Sequence, residues 1–388
     1  MITYIEKLLN GQPVEWKTLG EVAVIGTGSS NRQDEVEGGN YPFYVRSKNV
    51  LRSDTYQFDE TAIIIPGEGG IGDIYHFVEG KYALHQRAYR VCLHNDKLLT
   101  KFVYYFMWAR FKGYIISKSV GATATSIRKP MLEKFPIPIP PLSVQEEIVR
   151  ILDKFTELEA ELEAELEARK QQYEYYRNSL LSFANDLEGG GKIVFKTLGE
   201  VFFMRNGYTP SKAKKEFWEG GTIPWYRMED LRAGTRVLSD AIQHVTPEAI
   251  KGKGLFKANS IIMATTATIG EHALLAVEAL ANQQFTNFEI KPEYQAVLLP
   301  KFAYYYFFVI DVWCKQNTNV SSFPSVAISN LKTQEIPIPP LAEQARIVNI
   351  LDKFDALTTS LTEGLPQEIE LRRKQYEYYR EQLLSFPA

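Results

Sequence analysis

The chain has 388 residues, 45% hydrophobic and 13% aromatic, enough for two or three folded domains, and this excludes a disordered polypeptide. Its two cysteines, Cys92 and Cys314, stand in dissimilar surroundings, which excludes a disulfide scaffold or a cysteine zinc site and fits a reducing compartment. No apolar run is long enough to span a membrane and the first residues lack a signal-peptide plan, so a soluble cytoplasmic protein is expected, with a net charge of −3.

In chain order, Ile2, Ile5, Leu8 and Leu9 share one face of a short predicted helix. WKTLGEV follows at Trp16 to Val22 and returns as FKTLGEV at Phe195 to Val201. A mixed domain then runs to about Pro140. Within it TAIIIPGEGGIGDIYHFV places two apolar runs around a glycine turn, and SIIMATTATIGEHALLAV is its counterpart. Gly67, Gly69 and Gly72 spell GxGxxG, which would suit a dinucleotide loop. The counterpart keeps only Gly270 and has Thr265 and Ala267 at the first two positions, and alternating residues rather than a helix follow, so the spacing predicts a hairpin.

The aromatic runs KFVYYFMWARF at Lys101 and KFAYYYFFVIDVW at Lys301 have helical spacing and are read as core rather than as base-stacking platforms. Each domain ends in a polar stretch in which Ser126-Ile127 matches Ser325-Val326, and each then enters a PIPP run. The sequence after Pro141 predicts a helix of about 40 residues, with Ser143 as N-cap and Glu146 closing a capping box. ELEA occurs three times in tandem from Glu157 to Ala168, a four-residue unit of length within that helix. Glycines 189–191 mark a domain boundary.

The same helical segment returns at the C-terminus, Leu142 matching Leu341 and Phe155 matching Phe354, with four additional residues before Gln375 takes the place of Gln172. Gly364 and Pro366 interrupt the second copy where the first has its ELEA repeats. Charge follows this division: residues 143–188 hold 12 acids and 5 bases and residues 341–388 hold 8 and 6, whereas residues 1–142 hold 17 bases and 14 acids and residues 189–340 hold 16 and 13. The domains are therefore mildly basic, which is compatible with nucleic-acid binding and equally with an ordinary domain, and the acidity belongs to the helices. The helices match closely while the domains match only at framework points, so similar helices meet one partner type twice and dissimilar loops meet two different ligands. His76, His85, His94, His244 and His272 show no metal-ligand spacing, and no P-loop, methyltransferase motif or nucleophile elbow is present.

KTLGEV opening each half, PIPPLSVQ and PIPPLAEQ leading into long helices, and YEYYRNSLLSF and YEYYREQLLSF closing them resemble the specificity subunit of type I restriction-modification systems. The resemblance covers the whole chain. It implies an α+β fold with a pseudo-two-fold internal repeat: two mixed α/β target-recognition domains, residues 1–141 and 189–340, separated by two long antiparallel helices that form a coiled coil, residues 142–188 and 341–388. It implies a non-catalytic chain without cofactor that reads a bipartite, asymmetric double-stranded DNA target and docks two adenine methyltransferase subunits. Those subunits use S-adenosylmethionine, and restriction (motor-nuclease) subunits can join them. The specificity portion of a fused methyltransferase-nuclease and a protein scaffold that does not bind DNA are the alternatives.

Base contacts are not fixed by the resemblance, because the loops differ between members; the chemistry of the side chains nominates them. In the first half the candidates are Arg32, Arg46, Lys48, Asn49 and Arg52, with Thr123, Ser126, Arg128 and Lys129. In the second half they are Arg205, Lys212, Lys214, Lys215, Arg227, Glu229, Asp230, Arg232 and Arg236, with Thr265, Thr266 and Ser325. For the partner surface and helix pairing the candidates are Tyr173, Tyr176, Tyr376 and Tyr379.

Overall fold

The computed structural model describes residues 3–70, 72–118, 126–183, 193–232, 236–318, 324–359 and 364–387. The chain forms two compact units, Met1–Glu161 with Leu371–Ala388, and Leu162–Glu370, so each unit joins a mixed domain to parts of both helical segments. The glycines at 189–191 lie outside the described residues.

The first unit opens with α1 (Tyr4–Leu9), β1 (Glu15–Thr18) and α2 (Leu19–Val22). Here the KTLGEV motif acquires its physical reasons. The Thr18 N–H donates to Glu21 Oε2 over 2.8 Å in a capping box, Leu19 and Val22 are buried, and a side chain at Gly20 would come within 3.1 Å of Glu133 Cβ. A six-stranded sheet follows in the order β2 (Ala23–Thr27), β7 (Ala88–Leu93), β5 (Phe58–Pro66), β6 (His76–Leu84), β3 (Tyr41–Tyr44) and β4 (Leu51–Ser53). The β5–β6 pair is the predicted hairpin, antiparallel with Ile64 opposite His76. Along β5, Ile63 and Ile65 face α3 (Thr100–Lys118), while Ala62 and Ile64 pack with Val78, Tyr82 and Leu84 on the other face. A strand buried on both sides reads as an unbroken apolar run, which is what IIIP is. Phe102, Phe106, Met107 and Phe111 of α3 are buried, so the aromatic run is core.

After α4 (Lys129–Glu133), β8 (Pro136–Ile139) pairs antiparallel with β1, Lys17 opposite Ile137. The two repeated motifs, KTLGEV and PIPI, are thus neighbouring strands. The long helix α5 (Leu142–Leu180) is 39 residues without a break. It begins before Ser143: the Pro141 carbonyl accepts from the Val144 and Gln145 N–H groups, so Ser143 sits inside the first turn and is not the cap.

The second unit repeats the plan with β9 (Val194–Thr197), α6 (Leu198–Val201) and β10 (Phe202–Asn206), then β11 (Ile223–Tyr226), α7 (Met228–Arg232), β12 (Val237–Leu238) and β13 (His244–Val245). β14 (Ile261–Ala264), β15 (His272–Leu275), β16 (Leu280–Ala281) and β17 (Phe285–Ile290) complete its sheets, ordered β10-β17-β14-β15-β12 and β13-β11-β16. The aromatic helix α8 (Pro300–Gln316) covers Ile261 and Met263, while Ile262 and Ala264 face the opposite cluster. After α9 (Ile328–Leu331), β18 (Glu335–Ile338) pairs with β9, Lys196 opposite Ile336, as β8 pairs with β1.

The second helical segment is built from two helices, α10 (Leu341–Thr359) and α11 (Gly364–Leu383). Gly364 adopts a left-handed φ of 78°, where a side chain would come within 2.6 Å of the Ala356 and Leu357 carbonyls, and Pro366 sits in the first turn of α11, where its missing N–H costs nothing.

Within the first unit, Phe155 stacks on Tyr379 with ring centroids 5.4 Å apart, and Arg373 donates to Glu159 over 2.6 Å. Advancing along α5 therefore retreats along α11: the helices are antiparallel. Within the second unit Phe354 stacks on Tyr173 at 6.0 Å and on Tyr176 at 5.4 Å, so the same aromatic contact is made twice.

Candidate nucleic-acid interface

Each long helix is fixed to its domain by the same two side chains, a glutamine and an aspartate. The fully buried Gln145 accepts from the Leu99 N–H at 2.9 Å and donates to the Lys97 and Pro140 carbonyls, both at 2.7 Å. Asp153 accepts from Lys101 at 2.8 Å and from the Tyr105 hydroxyl at 2.6 Å. In the second unit Gln344 binds the Leu299 N–H and the Val297 and Pro339 carbonyls, and Asp352 accepts from Lys301 and Tyr305, both at 2.6 Å. Burial and the neighbouring carboxylates raise both tyrosine pKa values far above the ordinary one, so each hydroxyl stays a donor.

On this frame the tip after β5 is held by two backbone contacts: Gly67 N–H donates to the Arg87 carbonyl and Ile127 N–H donates to the Gly67 carbonyl, both at 2.8 Å. The second unit has the same pair, Thr265 to Gln284 and Val326 to Thr265, both at 2.9 Å. Gly69 and Ala267 take matching left-handed φ values of 71° and 65°. Glu68 and Thr266 occupy the same place and pair with Ser126 and Ser325 respectively.

Around the first tip lies a cleft of about 450 Å³ lined by Arg32, Arg46, Asn49, Glu68, Gly69 and His85. Arg46 and Arg87 each approach Glu68 Oε2 to 3.0 Å. His85 Nδ1 accepts from the Arg87 N–H, and burial together with both arginines lowers its pKa, so it stays neutral. Three nominated residues, Arg32, Arg46 and Asn49, thus meet at one cleft with Ser126 beside it. Lys48 is exposed in the same β3–β4 loop, and Arg128 is exposed before α4. Lys129 pairs with Glu133 at 3.7 Å in its own helix. The Arg52 guanidinium is spent on the Gly39 and Asn40 carbonyls, at 2.8 and 3.2 Å. Thr123 lies outside the described residues.

In the second unit Arg205 donates to the Lys253, Gly254 and Leu255 carbonyls and lies over the Phe256 ring, and burial lowers its pKa. Asp230 is buried and accepts from the Arg227 and Ile242 N–H groups, both at 2.7 Å, which starts α7. Both side chains hold loops. Lys212 is exposed; Lys214 and Lys215 pair with Glu216 and Glu219 at 3.9 and 3.7 Å. Arg227 pairs with Glu229, and Arg232 with Glu271, both at 3.1 Å, while Arg236 lies over Phe308. Thr265 is buried against Thr286 at 3.0 Å, leaving Thr266 at the tip. Glu68 and Arg87 escaped the sequence reading, although the match of Gly67 and Gly69 to Thr265 and Ala267 sets Glu68 opposite Thr266.

The model of the type I restriction modification DNA specificity domain matches the chain twice, over residues 13–168 and 191–371. The chain belongs to the type I DNA specificity subunit family. A specificity subunit of the EcoR124I/EcoR124II enzymes of Escherichia coli is 36% identical over 408 residues, covering 100% of this chain and 98% of that one. The EcoprrI specificity subunit of the same species is 49% identical over 215 residues, 54% of each chain. In fold, the chain is similar to a type I S subunit from M. genitalium, with a TM-score of 0.58 at 17% identity over 98% of this chain and 97% of that one. Specificity subunits are the recognition, non-catalytic components of type I systems. No helix among the described residues is long and apolar enough to cross a membrane.

Proposed function

We propose that the two target-recognition domains, residues 1–141 and 189–340, each read one half of a bipartite, asymmetric double-stranded DNA target. The helical spacers, residues 142–188 and 341–388, carry two methyltransferase subunits and set the gap between half-sites; restriction subunits can join that assembly in the cytoplasm. The observation that carries this reading is the repeat itself. The bonds of Gln145 and Gln344 and of Asp153 and Asp352 recur one for one, and both copies keep a Thr–Glu capping box, while the residues around the two tips share almost no chemistry. A frame kept twice suits one kind of partner met twice, and loops changed freely suit two different base sequences.

Tyr173, Tyr176, Tyr376 and Tyr379 would serve helix pairing and docking together. Tyr173 and Tyr376 are each 8% exposed, and burial pushes both phenols up to about 12, which supports the pairing role for these two. Tyr176 at 40%, with Tyr175 at 69% and Tyr378 at 62%, offers the surface that a docked subunit would cover. The test is production of the chain with and without its cognate methyltransferase in a methylation-free host, followed by methylome sequencing. Methylation of one bipartite motif only when both are present supports the reading; methyl transfer by the purified chain alone would overturn it.

A further inference from the structure

The Arg46–Glu68–Arg87 cluster is not needed to build the turn that carries it. The second unit makes the same tip with the same backbone hydrogen bonds, yet Thr266 stands for Glu68 and Gln284 for Arg87. Arg46 lies two residues past Tyr44, whose carbonyl accepts from His85 N–H; the matching carbonyl of Tyr226 accepts from Asn282 N–H, which sets Met228 opposite Arg46. The three matching positions of the second unit thus carry no charge, on an unchanged frame.

Stability does not explain them either. The Arg46, Glu68 and Arg87 side chains are 45%, 40% and 55% exposed, and ion pairs so open to water contribute little. Both guanidiniums converge on Oε2, and among the described residues Oε1 accepts no hydrogen bond. Arg32 lines the same cleft but is paired with Glu35 at 3.8 Å, so it is the two guanidiniums on Glu68, two positive charges to one negative, that present its carboxylate to a polyanion. An isolated exposed glutamate would be repelled by phosphates; this one is neutralised, and its free oxygen remains an acceptor.

We propose that this cluster reads a G·C pair in the half-site of the first unit, Glu68 accepting from the cytosine amino group and Arg46 or Arg87 donating to the guanine edge. The inference rests on the half-site reading above and adds which residues read and which pair they select. Arg52, whose guanidinium is committed to Gly39 and Asn40, is excluded from that role by the same geometry.

The experiment uses the full chain with its methyltransferase, comparing Glu68→Gln and Arg46→Gln with the unaltered chain by methylome sequencing. Glu68→Gln keeps the shape and removes the charge, so the complex should assemble. The expected result is relaxed or altered choice at one G·C position of one half-site, by roughly ten- to a hundredfold, with the other half-site and the gap unchanged. An unchanged motif methylated more slowly at every site would assign the cluster to phosphate contact and overturn the proposal. If a variant methylates nothing, binding of its complex to duplexes that carry each single base-pair change in the half-site decides: rescue on one altered duplex supports base reading, and equal loss on all of them contradicts it. Should the unaltered chain with its methyltransferase fail to methylate a bipartite motif, the half-site reading fails first, and that outcome is separate from the one above.

Discussion

The two units are the same machine below the sheet and different machines at its tip. Lys101–Asp153–Tyr105 and Lys301–Asp352–Tyr305 are repeated with the same donors on the same carboxylate oxygens, and Phe155 and Phe354 meet equivalent tyrosines. At the tip, Arg46, Glu68 and Arg87 face Met228, Thr266 and Gln284. A buried polar anchor such as Gln145 or Gln344 cannot drift, because losing it strands its partners away from water, whereas an exposed tip can change charge at almost no cost to folding. The difference between the units therefore marks the residues that are free to be selected for a ligand.

If the anchors are equivalent, breaking them should hurt equally in both units. Gln145→Leu and Gln344→Leu each strand one N–H and two carbonyls, and each should cost about 2–4 kcal/mol in urea unfolding. A loss in one unit only would show that the frames differ energetically despite matching in geometry. Deleting Glu161–Ala164 removes one ELEA unit from α5 and shortens a helix by about 6 Å. Under the proposed reading both half-sites stay the same and the gap in the methylated motif shortens by one or two base pairs, at about 3.4 Å each; full activity with the original gap would remove the spacer role.

Exposed and buried tyrosines of the same motif should separate. Tyr175→Ala with Tyr378→Ala should lower copurifying methyltransferase by roughly tenfold while the chain melts as before. Tyr173→Ala with Tyr376→Ala should lower the melting temperature instead. The smallest effect concerns a residue difference on the same backbone at the tip. Ala267 holds a φ of 65° where the first unit has Gly69, so Ala267→Gly should raise stability by up to about 1 kcal/mol, read as a higher urea midpoint; a lower midpoint would mean that the alanine side chain packs usefully.

Much of this was legible in the sequence because it rests on local rules. The hairpin follows from apolar runs around glycines, the core helices from aromatic spacing, and the break before α11 from Gly364 and Pro366. The helix start was misplaced because the Pro141 carbonyl, not the Ser143 hydroxyl, opens α5. At the tips, Arg46, Glu68 and Arg87 come from three separated segments, and only the folded sheet brings two guanidiniums to one carboxylate. Conversely, nothing in the sequence tells an arginine spent on carbonyls, as Arg52 and Arg205 are, from one left open to a ligand.

Under the proposed reading each unit reads its own half of the target. Replacing residues 16–140 with the first domain of another member of the family, in a chain produced with its methyltransferase, and sequencing the methylome tests this most directly. One half of the motif should change completely while the other half and the gap remain. A motif in which both halves change together would contradict reading by separate units.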